Sequence, residues 1–148
     1  MKILIINGPN LNMLGERDEN VYGSDTLSKM NAEIAAFCRG EGIDTEFFQS
    51  NIEGEIVTAV QDANKKYKAD GLVINAGAYT HYSYAIGDAL GCMKIPKVEV
   101  HISNVHAREE FRRVSVLSEN CNGMICGFGS GSYKLACLAI KDIMEKNK

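Results

Sequence analysis

The chain has 148 residues, of which 45% are hydrophobic and 24% charged, and these proportions suit one soluble globular domain with a core of ordinary size. A net charge of −3 gives no support to a protein that binds nucleic acid or anionic membranes. The apolar runs are too short to span a membrane, and five cysteines without a CxxC pair predict a reducing cytoplasm in which the thiols pack as small apolar groups.

The first predicted element is a buried strand over residues 3–6, where the chain reads Ile-Leu-Ile-Ile. A long connection follows, which we name the lid segment (about residues 8–25). Because glycines and a proline interrupt it repeatedly, we expect neither a helix nor a strand there. Connections longer than roughly 12 residues are uncommon and often serve as lids or binding loops. This one carries amides at its base and an arginine and a tyrosine near its tip, so we expect it to cover a site.

The rest of the chain alternates between helical and strand patterns. Helices are predicted over about 28–41, from 53 to about 67, over about 82–92 and from the Gly-rich turn near 129 to about 146. A shorter helical turn is expected near 108–111, and Ser132 is expected to cap the last helix. Short apolar runs predict strands at 45–49, 72–74, 98–101 and 123–128.

Five short strands that alternate with helices predict a parallel sheet covered on both faces. Right-handed crossovers make this a flavodoxin-like, doubly wound α/β fold with strand order 2-1-3-4-5, within a single catalytic domain spanning residues 1–148. Such sheets bind ligands beyond the carboxyl ends of the strands, where the strand order switches. The base of the lid segment and residues 50–51, 75–81, 101–103 and 127–132 should therefore converge at one end of the sheet.

Tyr22 and Arg17 lie five positions apart near the tip of the lid segment. A cation close to a phenol favours its ionised form, and arginine suits this role because it stays charged. Tyr22 is therefore a candidate general base, with Arg17 as its activator. The alternative is a tyrosine that packs on the surface while Arg17 pairs with Asp18 or Glu19 in solvent, an arrangement that contributes little stability.

His101 is the candidate general acid. It ends the fourth predicted strand, and the two-residue period of a strand puts Glu99 on the same side. A carboxylate beside an imidazole fixes its tautomer and makes it a competent proton donor. A histidine at a strand end can also serve only as a partner for a backbone carbonyl, so both interpretations stay open.

Other chemistries have less support. His81, His101 and His106 lack the HExxH pattern, so we expect no metal site. Ser103 lacks the context of an activated nucleophile, and the Gly-rich run at 127–132 lacks the lysine of a phosphate loop. The alternative to an enzyme is a flavodoxin-like module that binds a small molecule without catalysis. A flavin site, however, would need a Ser/Thr-rich phosphate loop after the first strand.

A proton-transfer site accounts for the remaining candidates. Asn10 and Asn75 supply amides, and Arg112 can hold a carboxylate through two parallel hydrogen bonds. Together with a base and an acid, this set suits a β-elimination on an anionic, hydroxylated small molecule. The base would remove a proton next to a carbonyl, the amides and a bound water would hold the enolate, and the acid would protonate the departing hydroxyl.

Several long motifs carry a resemblance that extends over nearly the whole chain. In order and spacing they closely resemble the motifs of the type II 3-dehydroquinate dehydratases. The motifs are Ile-Asn-Gly-Pro-Asn-Leu at 6–11, Gly-x-Arg at 15–17, Tyr-Gly at 22–23, Gln-Ser-Asn-x-Glu-Gly-Glu at 49–55, Ile-Asn-Ala-Gly-Ala-Tyr-Thr-His at 74–81 and Val-Glu-Val-His-Ile-Ser-Asn-Val-His-Ala-Arg-Glu at 98–109.

The resemblance implies dehydration of 3-dehydroquinate to 3-dehydroshikimate in the shikimate pathway of aromatic amino acid biosynthesis, or the reverse step in quinate breakdown. Anti elimination through an enolate, without metal, cofactor or Schiff base, would be the mechanism, and a dodecamer of four trimers the assembly. The resemblance assigns catalytic roles to Tyr22 (base), Arg17 (its activator), His101 (acid), Glu99 (which orients the acid) and Asn10 (which holds the enolate-stabilising water). It assigns substrate contacts to Asn75, His81, Ile102, Ser103 and Arg112, and to Asp88 from a neighbouring subunit.

One position departs from the family pattern. A proline commonly stands two residues after the lid arginine, where this chain has Glu19. Without the proline, the lid segment has more conformations to lose when it becomes ordered, and the acidic side chain can compete for Arg17. We therefore expect a lid that is mobile without ligand and a weaker apparent affinity for substrate.

Overall fold

A computed structural model describes residues 1–16 and 19–147, without the Glu19 side chain. In this part of the chain the strands are β1 (Lys2–Asn7), β2 (Asp44–Gln49), β3 (Gly71–Asn75), β4 (Lys97–His101) and β5 (Gly123–Cys126). The α-helices are α1 (Glu19–Tyr22), α2 (Leu27–Gly40), α3 (Glu53–Asp62), α4 (Tyr84–Gly91) and α5 (Ser130–Lys146). Shorter 3-10 turns lie at Leu11–Met13, Gly77–His81, Val105–Ala107, Glu110–Arg113 and Ser118–Asn120. Within the described ranges, no helix combines the length and the apolar character needed to cross a bilayer.

The strands form one parallel sheet in the order β2-β1-β3-β4-β5. This confirms the predicted flavodoxin-like, doubly wound fold. β3 and β4 are buried at every position, as expected for strands of a parallel sheet that is covered on both faces. Asn7 pairs with Gln49 on one side and with Asn75 on the other, so polar residues meet at the carboxyl ends of the central strands.

Two apolar cores lie on opposite faces of this sheet. Ile3 and Ile5 belong to the core shared with α2 and α5, whereas Leu4 and Ile6 belong to the core shared with α3 and α4. The alternation follows from the two-residue period of a strand. Each fully buried aliphatic side chain contributes about 1.5–3 kcal/mol relative to an exposed one. The two cores therefore hold the strand ends, and the loops that leave them, in fixed positions.

The lid segment contains two short helical pieces, so the expectation of no helix there is wrong. Leu11–Met13 forms a 3-10 turn, and α1 adds one turn of α-helix. The breakers limit the length of these pieces without preventing them. Gly15 and Gly23, with φ of 88° and 78°, follow the two pieces in conformations that glycine adopts without strain.

Other boundaries also differ from the predicted ones. α3 ends at Asp62, before the predicted end near 67. An irregular turn follows, in which the N–H groups of Lys66 and Tyr67 both donate to the Asp62 carbonyl, at 2.9 and 3.2 Å. β5 ends at Cys126, before the predicted end at 128. Ser132 does not cap α5, since the N-cap is Gly129 and the Ser132 hydroxyl instead accepts the N–H of Phe128 at 3.1 Å.

Candidate active site

A cavity of about 170 Å³ lies beyond the carboxyl ends of the central strands, where the strand order predicts a ligand site. Its walls come from the lid segment, the loop after β3 and the segment after β4. The lining residues are Pro9, Asn10, Leu11, Tyr22, Asn75, Gly77, Ala78, His81, His101, Ile102, Ser103, Val105, Arg108 and Arg112. Most of the residues that were predicted to act in catalysis or to bind substrate therefore line this one cavity.

His101 lies against the cavity at the end of β4, with Glu99 beneath it. Its Nε2 is 2.7 Å from Oε1 of Glu99, as the period of the strand predicts. Because an ionised carboxylate can only accept, Nε2 must carry the proton of this bond. The other ring nitrogen, Nδ1, is then the atom of His101 left to exchange a proton with a ligand.

Glu99 is completely buried and receives hydrogen bonds on both carboxylate oxygens. Oε1 accepts from His101 and, at 2.8 Å, from Thr80. Oε2 accepts from Ser115 at 2.7 Å and Ser118 at 2.8 Å. Burial alone would raise the pKa of Glu99, but the hydrogen bond and charge of His101, with the hydroxyl donors, outweigh it and hold that pKa below its ordinary value. Glu99 is therefore ionised and orients His101.

Tyr22 reaches the cavity from α1, at the tip of the lid segment. Nη1 of Arg108 donates to its phenol oxygen at 3.0 Å and to Oγ of Ser103 at 3.2 Å. The guanidinium also lies over the ring, with Cζ 5.3 Å from the ring centroid. A phenolate at Tyr22 would therefore be stabilised by a hydrogen bond from a permanent cation.

Arg108 is the functional residue that the sequence reasoning missed. Arg17, the predicted activator, lies outside the described residues, and so does Asp18. The signal available for Arg108 was its place in the arginine-rich segment after β4, four positions before Arg112. That segment has no apolar period, so the sequence does not indicate which arginine faces the cavity.

Asn75 occupies the floor of the cavity and is held by a buried tyrosine. Its Nδ2 donates to the hydroxyl of Tyr133 at 2.7 Å, and that hydroxyl donates to Oδ1 of Asn7 at 2.7 Å. The N–H of Gly77 donates to Oδ1 of Asn75 at 3.1 Å. Burial raises the pKa of Tyr133, so the hydroxyl keeps the proton that it gives to Asn7. These bonds fix which end of the Asn75 amide is the donor.

Asn10 reaches the cavity from a strained position at the base of the lid segment. Its backbone has φ of 67°, in the left-handed region, and no hydrogen bond from its side chain caps the following 3-10 turn. Just before it, Gly8 packs against the loop after β3: its N–H donates to the Asn75 carbonyl at 2.7 Å, and a Cβ there would lie 2.5 Å from the Ala76 oxygen.

The far wall of the cavity carries groups suited to an anionic, hydroxylated ligand. Nδ1 of His81 is 2.7 Å from the Val114 carbonyl and must donate to it, which leaves Nε2 as an acceptor. Arg112 donates through Nε to Glu109, which leaves the terminal nitrogens of its guanidinium for a ligand. Ile102 and Ser103 line the wall between these residues and β4.

Asp88 is not brought to this cavity. It lies on the exposed side of α4 and is not among the lining residues. Its predicted role concerns the cavity of a neighbouring subunit, so the position in a single chain leaves that role a prediction. In the described part of the chain, no three His, Cys, Asp or Glu side chains are grouped as metal ligands.

Comparison with known proteins assigns this arrangement to a family. The sequence pattern described as Dehydroquinase class II matches residues 1–141. The chain belongs to the class II dehydroquinase family. Among similar members, the 3-dehydroquinate dehydratase of Thermotoga neapolitana is 52% identical over 147 residues, covering 99% of each chain. That of Caldicellulosiruptor bescii is 51% identical, covering 97% of this chain and 99% of its own.

A solved member of the dehydroquinase family has the same fold. The crystal structure of the type II dehydroquinase from Butyrivibrio crossotus superposes with a TM-score of 0.92 at 50% identity, covering 95% of this chain and 97% of the other. The resemblance inferred from the motifs is therefore confirmed. The roles assigned to individual residues of this dehydroquinase stay predictions.

Proposed function

We propose that this chain dehydrates 3-dehydroquinate to 3-dehydroshikimate in the shikimate pathway of aromatic amino acid biosynthesis, as a hydro-lyase. Relatives that are about half identical to it are named 3-dehydroquinate dehydratase, and the chain matches nearly their full length. The observation that carries the mechanism is that Tyr22 and His101 line one cavity, each with its own charged partner. A base and an acid held separately in one small cavity suit the elimination of water.

Tyr22 is the base in this proposal. As a phenolate it takes the proton next to the ketone of the substrate, and the electron pair of that C–H bond forms an enolate. Arg108 holds the phenolate through the bond of 3.0 Å described above. General-base catalysis of this kind contributes about 10²–10⁴ to the rate.

His101 completes the reaction by protonating the departing hydroxyl. The enolate collapses, the C–O bond breaks, and Nδ1 of the doubly protonated imidazole gives its proton to the leaving oxygen as water. Glu99, ionised and fully buried, stabilises the imidazolium before transfer and fixes its orientation. The proton taken by Tyr22 then passes to His101, directly or by exchange with solvent, which restores both groups.

The remaining side chains bind substrate and stabilise charge. Asn10 holds a water against the enolate oxygen, while Asn75 and His81 bind hydroxyls. Arg112 binds the carboxylate with its terminal nitrogens. Its guanidinium lies over the ring of Phe111, with Cζ 4.6 Å from the ring centroid. Ile102 and Ser103 shape the adjoining wall. Every step uses groups of the protein, so the proposal needs neither an imine nor a cofactor.

The proposed assembly is a dodecamer of four trimers in which Asp88 contributes to the cavity of a neighbouring subunit. Asp88 supports this because it is exposed on α4 and is not among the residues that line the cavity of its own chain. The test is complementation: mixed oligomers of Tyr22→Phe and Asp88→Ala chains should regain activity that neither variant has, because some sites combine two intact residues. If mixing restores nothing, Asp88 does not act across subunits.

We also propose a cytoplasmic location, since the cysteines of the described chain are free thiols.

The deciding experiment follows the absorbance of the conjugated enone when purified protein is mixed with 3-dehydroquinate. Wild-type protein should produce it, and activity should survive both EDTA and borohydride treatment with substrate. Tyr22→Phe and His101→Ala should each slow turnover by ~10² or more while the protein stays folded. An absent signal with wild-type protein, together with a yellow complex after incubation with flavin, would favour the non-catalytic binding module instead.

A further inference from the structure

The left-handed backbone conformation of Asn10 is unusual for a residue other than glycine, and its proposed role in catalysis does not explain it. Apart from glycines, only Asn10 and Lys68 have positive φ among the described residues. Asparagine tolerates this left-handed region better than most residues, yet it still prefers other conformations. Something must therefore hold Asn10 in the conformation that lets it line the cavity.

One restraint comes from the side chain of Asn51, in the loop that follows β2. Its Oδ1 accepts the backbone N–H of Asn10 at 2.9 Å, across 41 positions of sequence. The same Oδ1 accepts from Nε2 of Gln49 at 3.2 Å. Gln49 in turn donates to the carbonyl of Gly8 at 3.1 Å. Two side chains from the β2 end thus bind the backbone on both sides of Pro9.

Asn51 is itself held firmly, which a restraint requires. The hydroxyl of Tyr79 donates to its carbonyl at 2.9 Å. Immediately before it, the N–H of Ser50 donates to the Asn7 carbonyl at 3.1 Å, and the Ser50 hydroxyl accepts the N–H of Ile52 at 2.9 Å. The loop that carries Asn51 is therefore tied to the end of β1, where the lid segment begins, and to the loop after β3, which lines the cavity.

We infer that Asn51, oriented by Gln49, is a positioning residue for the enolate-stabilising Asn10: it holds the Asn10 backbone in the left-handed region and thereby aims the side chain into the cavity. Asn51 does not line the cavity, so it acts only through Asn10. The effect on rate rests on the function proposed above, whereas the restraint on the backbone does not. Two readouts are therefore needed.

The first readout is turnover of 3-dehydroquinate. Asn51→Ala should lower kcat by about 10- to 100-fold, the scale of a small misplacement of a catalytic group. KM should change little, because Asn10 acts on the enolate and not on bound substrate. In an Asn10→Gly background, where glycine adopts the same φ but has no amide, Asn51→Ala should cause no further loss.

The matched control is Asn12→Ala. Asn12 also accepts from Gln49, at 3.5 Å, but makes no bond to Asn10 and does not line the cavity, so this variant should keep the wild-type kcat. Two results would overturn the inference: a wild-type kcat in Asn51→Ala, or additive losses when Asn51→Ala is combined with Asn10→Gly.

The second readout is hydrogen exchange at the Asn10 amide, which does not depend on activity. Exchange should accelerate in Asn51→Ala and stay unchanged in Asn12→Ala, because only the first variant removes the acceptor of that N–H. Unchanged exchange in Asn51→Ala would refute the restraint even if the wild-type protein failed to turn over substrate. A wild-type protein without activity, but with faster exchange in the variant, would refute the proposed function and retain the restraint.

Discussion

At the scale of single residues, charge partners decide what each candidate can do. Glu99 and His101 could be predicted to interact, because a strand places alternate residues on one side. The partner of Tyr22 could not be predicted in the same way. The bond from Arg108 depends on how the irregular segment after β4 folds over α1, a contact between residues 86 positions apart.

Arg108 should therefore be needed for turnover. Arg108→Lys keeps a charge but loses the planar guanidinium that reaches Tyr22 and Ser103 together, so kcat should fall by ~10². Arg113→Lys is the matched control, since Arg113 is exposed in the same segment and does not line the cavity. Steady-state kinetics of both variants provide the measurement, and equal rates for the two would exclude the proposed role.

Tyr133 should matter for stability as well as for the site. Tyr133→Phe leaves Asn7 and Asn75 with buried amide groups that have lost their partner, and each such group costs ~1–3 kcal/mol. Urea unfolding should therefore show a loss of ~2–6 kcal/mol, the sum for the two amide groups. Tyr67→Phe, which removes a hydroxyl from a partly exposed tyrosine, should leave the unfolding midpoint nearly unchanged. A similar small effect for both would mean that water replaces the lost hydroxyl.

At the scale of elements, long periodic segments were predictable and short ones were not. The strands and the four longer helices appear where apolar periodicity places them, with ends shifted by a few residues. α1 has only four residues, too few to show a period. The hydrophobic pattern does not encode where a helix ends. At Asp62, for example, α3 gives way to a turn in which two N–H groups share one carbonyl.

The start of α1 bears on the family departure at Glu19. Glu19 is the first residue of this helix, where the backbone N–H has no carbonyl partner within the helix. A proline there would therefore break no helical hydrogen bond, and its fixed φ suits a first helical position. Glu19→Pro should therefore lower the KM for 3-dehydroquinate and raise the free energy of unfolding by ~0.4–1 kcal/mol, by restricting the unfolded chain. Kinetics and urea unfolding measure the two effects. Glu19→Ala separates the loss of charge from the gain of rigidity, and an equal KM for both variants would contradict the role of rigidity.

At the scale of the whole molecule, the fold could be read from the alternation of strands and helices, and the end of the sheet that holds the site followed from the strand order. The contents of the cavity were less accessible. Tyr133 and Asn51 reach the site from α5 and from the loop after β2, elements that the motifs alone do not connect with it.

Acid stability should depend on the buried Glu99 carboxylate, which links β4 to Thr80 and to the segment of Ser115 and Ser118. The pKa of Glu99 in the folded protein lies below its ordinary value of 4.5. Its contribution to stability is therefore complete above about pH 4.5 and is lost as the pH falls through the lower, folded pKa. Glu99→Gln should be less stable near neutral pH but show a flatter decline below that value. Urea unfolding across the acid range tests this, with the exposed Glu145→Gln as control; parallel declines for Glu99→Gln and wild type would contradict it.

The close approach of Gly8 to the loop after β3 has a consequence for sequence variation. Any side chain at position 8 would begin 2.5 Å from the backbone oxygen of Ala76, between two residues, Asn75 and Gly77, that line the cavity. Neither chain segment can retreat without moving Asn10 or Asn75. A library that randomises codon 8 should therefore return glycine almost alone after selection for growth that depends on the enzyme. The residue allowed at position 8 is thus limited by the space between two backbone segments and not by the chemistry of the neighbouring side chains.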